Sequence, residues 1–266
     1  VSGEFLLAQQ KEAIRSALKQ NAFKRKHLNS WVGAHTAWLN METVNKCADK
    51  SLQIDTFTGK DCIIPIDLAS RIDITAVLRV FIEEKAGKMH YTAFSKFYIP
   101  EETALDPRNN HYQSWINDGY LTATDGNEID FNEIQADVKS DMEKYNAKEI
   151  TYDPWRATQL AQGLQSDGAN IVEFRNTVAN MSPAMYELEA AIASNRFHYD
   201  GNPVMTWMLS NVVAKIDAKD NIYPRKQKPE NKIDGPVALI MAIGRAMSHE
   251  ERRESAYDDR GIIYFG

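Results

Sequence analysis

The fold that we predict for this chain is decided by residues 62–83, CIIPIDLASRIDITAVLRVFIE. CIIPID (62–67) is a short apolar run that ends in an acid, and ITAVLRVFIE (74–83) is rich in β-branched residues. The polar LASRI segment between them suits a turn, so the two runs predict a β-hairpin. A third strand is predicted over residues 90–99. The domain therefore begins with an antiparallel β unit.

Downstream of this hairpin, strands and helices alternate. KEITYD (148–153) predicts a strand that ends in an acid, and Asp153 is the predicted N-cap of the next helix, with Pro154 at its first position. Another strand is predicted over 169–174. Further helices are predicted over 109–118, 131–146, 182–194, from 202 onward and over 233–247, with a polar hairpin over 213–228. This order implies a mixed α/β central sheet flanked by helices.

Composition limits the class of protein. The 266 residues contain no apolar run long enough to span a membrane and no secretion leader, so we expect a cytosolic protein without a membrane segment. Cys47 and Cys62 lack CxxC spacing and are expected to be reduced, with no zinc site. The net charge of −6 argues against a generally basic nucleic-acid binder, although Lys24–Lys26 and Arg225–Lys228 form local basic patches.

Acids stand where local structure is predicted to change. Asp67 ends one strand, Asp153 ends another and Asp234 begins the last helix. Strand ends and adjoining helix starts form the crevice of an α/β sheet, and carboxylates that converge there can hold divalent metals such as Mg²⁺. Asp73, across the turn from Asp67, is a candidate auxiliary ligand. Each acid taken alone is also well explained as a helix cap or a turn residue.

Several longer segments resemble the terminase large subunits of tailed double-stranded DNA phages. IPIDLASRIDITAVLRVF (64–81), ITYDPWRATQL (150–160) and NKIDGPVALIMAIGRA (231–246) resemble the three nuclease motifs of that family in order. FKRKHLNSWVGAHTAWLNMETVNKC (23–47) resembles the segment that follows the family's ATPase domain. NPVMTWMLSNVVAKIDAKDNIYPRK (202–226) is similar to the stretch that precedes the third motif.

The resemblance implies an RNase H-like fold and a metal-dependent endonuclease that cuts concatemeric phage DNA during packaging. It implies Asp67, Asp153 and Asp234 as catalytic metal ligands, with Asp73 as an auxiliary ligand. Our hypothesis is that Asp67 bridges two Mg²⁺ or Mn²⁺ ions while the other two each complete one site. The predicted DNA-contacting residues are Lys226, Lys232, Arg225 and Lys228.

The same resemblance implies partners and a location. The expected partners are double-stranded DNA, the small terminase subunit, the portal of the procapsid and the ATPase domain of the large subunit. We expect the host cytoplasm as the location, with transient residence at the portal.

The chain departs from complete large subunits in lacking a P-loop, because Thr58-Gly59-Lys60-Asp61 has neither the first glycine nor the hydroxyl residue of G-x-x-x-x-G-K-[ST]. We therefore divide it into an arm, residues 1–59, that follows an absent ATPase domain, and a nuclease domain, residues 60–266. Two alternatives stay open: another RNase H-like nuclease of the resolvase or transposase type, and a catalytically silent module that binds DNA or docks on the motor.

Overall fold

The computed structural model describes residues 2–15, 23, 27, 37–68, 73–155 and 158–258. The basic triplet Lys24–Lys26 and most of the predicted arm before residue 37 lie outside these residues. The element labels below number the helices and strands of the described part only.

A mixed sheet forms the centre of the domain. Its strands are β1 (Asp61–Asp67), β2 (Thr75–Lys85), β3 (Lys88–Pro100), β4 (Thr122–Thr124), β5 (Asn146–Tyr152), β6 (Ile171–Glu173) and β7 (Phe197–Tyr199). The order is β4-β3-β2-β1-β5-β6, and β7 pairs with β3. β1, β2 and β3 are antiparallel neighbours, whereas β5 runs parallel to β1 and β6 parallel to β5. The predicted hairpin, third strand and mixed sheet are confirmed.

Helices pack on both faces of this sheet. The helices of the described part are α1 (Gly3–Arg15), α2 (Met41–Lys46), α3 (Glu101–Leu105), α4 (Asn110–Asn117), α5 (Phe131–Lys144), α6 (Thr158–Ser166), α7 (Val178–Ala193), α8 (Pro203–Asn211) and α9 (Asp234–Asp258). Short 3₁₀ turns span Ile54–Phe57 and Pro107–Asn109. A separate hairpin of β8 (Val212–Ile216) and β9 (Ile222–Lys226) precedes α9, where the sequence predicted it.

Alternation along β1 separates two hydrophobic cores. Ile63 belongs to the core that contains α7, α8 and α9, whereas Ile64 and Ile66 belong to the core beneath α5 and α6. Because successive side chains of a strand point to opposite faces, Asp67 shares the face of Ile63. The final acid of β1 therefore lies on the α9 side of the sheet.

Two predicted helix starts are wrong. Pro154 is not the first residue of a helix, because residues 154–155 form a bend and the described part of α6 spans Thr158–Ser166. The helix predicted to open at Ser182-Pro183 begins at Val178 instead, where the Thr177 hydroxyl accepts a hydrogen bond from the Asn180 N–H (3.3 Å). Pro183 is accommodated inside α7, where a missing N–H removes one helical hydrogen bond.

The residues just before β1 are part of the folded core. Trp38, Leu39, Val44 and Cys47 are buried in the same cluster as α9, and the Trp38 N–H donates to the Val212 carbonyl (3.1 Å). The boundary that we place at residues 59 and 60 stays a prediction. Cys47 and Cys62 are both free and buried, as expected. Across the described ranges, no helix has the length and apolarity needed to cross a membrane.

Candidate metal centre

The three predicted ligands are brought to one end of the sheet. Asp67 is the last residue of β1, and Asp153 directly follows β5. These strands are parallel neighbours in which Ile66 pairs with Tyr152, so the two acids leave the sheet side by side. Asp234 is the first residue of α9, which packs on β1 and β2. The acids therefore come from three elements that the topology fixes together.

The charges of these acids act on one another. Removal from water raises the pKa of Asp67 well above its usual value, and the negative charges of Asp234, Asp153 and Asp73 raise it further. Burial and the charge of Asp73 raise the pKa of Asp234 to about 7, although Lys232 and Lys226 act in the opposite direction. All four candidate ligands thus lie within electrostatic reach of Asp67. Ionising them together is costly unless a cation is near.

The donor set fits a hard divalent cation, because all four candidate ligands offer carboxylate oxygens. Within the part of the chain that the structure describes, however, no three acidic, histidine or cysteine side chains stand in a ready ligand shell. The acids lie near one another, and two of them, Asp73 and Asp153, bind other groups of the protein. The Asp153 carboxylate accepts hydrogen bonds from the backbone N–H groups of Trp155 (2.9 Å) and Asn176 (3.3 Å).

Asp73 is held by a lysine. The Nζ atom of Lys232 lies 2.5 Å from Oδ1 of Asp73, and each side chain is 19% exposed. This half-buried pair differs from a solvated lysine on a loop. Lys232, which we predicted to contact DNA, therefore neutralises one of the predicted ligands in this structure.

The other predicted DNA-contacting residues lie on or after β9. Lys226 ends the strand, is exposed and is near enough for its charge to lower the pKa of Asp234. The Arg225 guanidinium lies 6.0 Å from the centre of the Tyr223 ring. Lys228 lies 3.8 Å from the Glu230 carboxylate and is well exposed. Lys226 is thus the cation of this group that combines exposure with proximity to the acids.

Two tyrosines flank the acids and were not predicted. Burial raises the pKa of Tyr112, and the charges of Asp73 and Asp234 add to the effect. Burial likewise raises the pKa of Tyr223, where Asp153 and Asp67 oppose the influence of Arg225. No local pattern in the sequence marks either tyrosine, because only the tertiary fold brings α4 and β9 to the acids.

Tyr223 also connects the β8-β9 hairpin to the Asp153 turn. Its hydroxyl donates to the Asn176 carbonyl (2.9 Å), and the Asn176 N–H donates to Asp153. The Ile222 N–H donates to the Ser182 hydroxyl (3.0 Å), which fixes the same hairpin on α7. The Asp153 carboxylate is therefore held by Asn176, and Asn176 is held in turn by Tyr223 of the β8-β9 hairpin.

Comparisons with known proteins identify the family of this chain. The family described as "Terminase large subunit, endonuclease domain" matches residues 2–250. Protein YmfN of Escherichia coli is 42% identical over 258 residues, which cover 93% of this chain and 57% of that protein. The large terminase subunit of Enterobacteria phage HK97 is 26% identical over 94% of this chain and 49% of its own length.

Solved structures give the same result for the fold. The crystal structure of the HK97 bacteriophage large terminase superposes with a TM-score of 0.69 at 25% identity, covering 92% of this chain and 51% of that one. The sheet and its flanking helices are thus of the RNase H-like type found in terminase nuclease domains. This chain spans about half the length of the curated relatives that it matches.

Proposed function

Because this chain belongs to the family of terminase large subunit endonuclease domains, we propose that it is a metal-dependent endonuclease that cleaves concatemeric double-stranded phage DNA during genome packaging. The observation that carries the proposal is the meeting of Asp67, Asp153 and Asp234 at one end of the sheet, with the pKa of Asp67 raised by the charges of the other two. Like-charged groups gathered in this way favour binding of a cation.

In this proposal the acids hold two divalent ions, Mg²⁺ or Mn²⁺. Asp67, Asp153 and Asp234 would hold these ions, with Asp73 as an auxiliary ligand. Bound ions of this kind activate a water for in-line attack on a phosphodiester and stabilise the departing oxygen. The reaction then needs no covalent protein nucleophile.

The remaining residues position the acids and the DNA. The N–H groups of Trp155 and Asn176 orient the Asp153 carboxylate. Lys226, exposed beside the acids, contacts a phosphate of the bound strand, and Arg225 and Lys228 extend this positive edge. Lys232 pairs with Asp73 in this structure, and a metal bound by Asp73 would free Lys232 to contact the DNA backbone.

Other parts of a packaging motor take part in the proposed function. We propose that the domain works with the ATPase domain of a large subunit, a small terminase subunit and the portal of a procapsid. Its place of action is the host cytoplasm, transiently at the portal.

Cleavage of supercoiled plasmid tests this proposal. We expect nicking or linearisation by the wild-type chain with Mn²⁺ or Mg²⁺ and none with EDTA. Asp67→Asn and Asp234→Asn should each lower the cleavage rate by at least about 100-fold, because even the outer partners of metal ligands contribute 10- to 100-fold. Gel electrophoresis of the plasmid forms over time gives the rates.

Asp61→Asn is the matched control. Asp61 lies at the opposite end of β1 from Asp67, and its side chain is 60% exposed. This variant should cut at the wild-type rate. Undiminished cleavage by Asp67→Asn would refute the ligand assignment, and an inactive but folded wild-type chain would favour a silent docking module.

A further inference from the structure

A cleft of about 960 Å³ opens beside the candidate metal centre. Asp73, Lys226 and Lys232 are among the residues that line it, α4 contributes three lining residues and α8 contributes one. The volume lies at the upper end of the range of small-molecule sites, roughly 300–1,000 Å³. The cleft is therefore large enough for a ring-shaped group, and it borders the proposed nuclease site through Asp73.

Four aromatic side chains line this cleft: His111, Tyr112 and Trp115 of α4 and Trp207 of α8. Trp115 and His111 of α4 lie 5.3 and 5.7 Å from Trp207 of α8, measured between ring centroids. His111 is exposed and both tryptophans are half-buried, so the rings are anchored at one side and accessible at the other. Aromatic platforms of this kind stack the bases of single-stranded nucleic acids.

The polar groups of the cleft suit a neutral ligand better than a phosphate. Two of its three cations are engaged with acids: Arg108 lies 2.5 Å from Asp106, and Lys232 lies 2.5 Å from Asp73. The lining adds the amides of Asn127 and Asn231, which offer both hydrogen-bond donors and acceptors. The edge of a nucleobase presents the same mixture of donors and acceptors.

On the basis of the proposed nuclease function, we propose that this aromatic cleft holds an unstacked nucleobase of the strand being cut. The adjoining phosphate would then lie at the acids, near Lys226. Extracting a base from a duplex costs a few kcal/mol and costs least where the strand is already unpaired. The enzyme would therefore cut mismatched or frayed DNA faster than perfectly paired DNA.

Binding measured in EDTA tests the cleft without any cleavage. The probes are a fluorescein-labelled pentathymidylate and the same strand with abasic sites, and the readout is fluorescence anisotropy. The wild-type chain should bind the strand with bases at least about fivefold more tightly, because stacking on aromatic side chains contributes that much per base. His111→Ala and Trp207→Ala should each remove most of this preference.

Two further variants control the experiment. Tyr186 is 40% exposed on α7 and does not line the cleft, so Tyr186→Ala should keep the full preference. Trp207 packs partly against the core, so its variant is checked by circular dichroism, and the exposed His111 provides the test if it misfolds. Equal binding of the two strands by the wild-type chain, or no binding of either, would overturn the proposal.

The outcome separates this inference from the nuclease proposal. Asp67→Asn should lose cleavage and keep the preference for bases. Metal-dependent cleavage without any base preference would overturn the aromatic cleft alone. A base preference in a chain that never cuts DNA would overturn the nuclease function and leave base recognition in place.

Discussion

At the scale of single residues, the site places like charges where water is partly excluded. Asp234 begins α9, whose N-terminal dipole favours a negative charge by up to about 1 kcal/mol. Its pKa is nevertheless raised to about 7, first by burial and then by Asp73. Desolvation and repulsion therefore outweigh the helix dipole, and the charged form of Asp234 lowers the stability of the folded protein.

We accordingly predict that Asp234→Asn stabilises the protein in EDTA at pH 8. A raised carboxyl pKa costs nothing below its unfolded value near 4, and the cost grows as the pH rises to about 7. The variant should gain about 2 kcal/mol at pH 8, or roughly 4 to 8 °C in Tm, after allowance for solvent screening. Thermal melts at pH 4 and pH 8 measure the difference. A gain that is the same at both pH values would contradict this account.

The acids could be identified from the sequence because each stands at a predicted change of local structure, within a segment that resembles a terminase nuclease motif. Tyr112 and Tyr223 could not be identified in this way, because their nearness to the acids depends on the packing of distant elements. The hydrogen bond from the Asn176 N–H to Asp153 could not be predicted either, because Asn176 lies beyond β6 in the sequence. Local sequence patterns likewise gave no indication of the ion pair between Lys232 and Asp73.

At the scale of elements, a buried ionic cluster fastens α9 to the sheet. Glu149 of β5 receives two hydrogen bonds from Arg245 (2.6 and 2.7 Å) and lies 2.7 Å from Nε2 of His249. Burial tends to raise the pKa of Glu149, but the hydrogen bonds from Arg245 and His249 outweigh it and lower the pKa. This contribution to stability is present above pH 4 to 5 and is lost as the pH falls through the lowered pKa.

Glu149→Gln should therefore lower the free energy of unfolding by about 3 kcal/mol at pH 7, because it leaves Arg245 buried without its counter-charge. The cleavage rate of the folded protein at 25 °C should change little. Asp55→Asn is the comparison, since Asp55 pairs with Lys144 at the surface and is 80% exposed, and it should cost less than about 1 kcal/mol. Urea unfolding measures both values. Equal losses in the two variants would show that the cluster has no special role.

The elements themselves were largely predictable. The apolar runs of β1, β2 and α9 carry strong signals, and all three elements begin within one residue of the predicted position, although α9 continues to Asp258. The start of α7 was wrong because Pro183 resembled a first-turn proline, although Thr177 already provides the cap. Whether a helix accommodates an internal proline depends on tertiary packing, and a short stretch of sequence does not show that packing.

At the scale of the whole molecule, one sheet topology accounts for the site. The parallel pairing of β1 with β5 sets Asp67 beside Asp153, and the packing of α9 on β1 and β2 brings in Asp234. The order of the motifs along the chain predicted this convergence, but the aromatic cleft beside it needed the positions of α4 and α8. We propose that Asp67, Asp153 and Asp234, brought together in this way, form a metal site.

Calorimetric titration of Mn²⁺ into the wild-type chain, Asp67→Asn and Asp61→Asn tests that claim most directly. We expect the wild-type chain and Asp61→Asn to bind Mn²⁺ with equal affinity, and Asp67→Asn to bind it at least about 100-fold more weakly. Circular dichroism establishes that all three are folded. Undiminished Mn²⁺ binding by folded Asp67→Asn would contradict the claim.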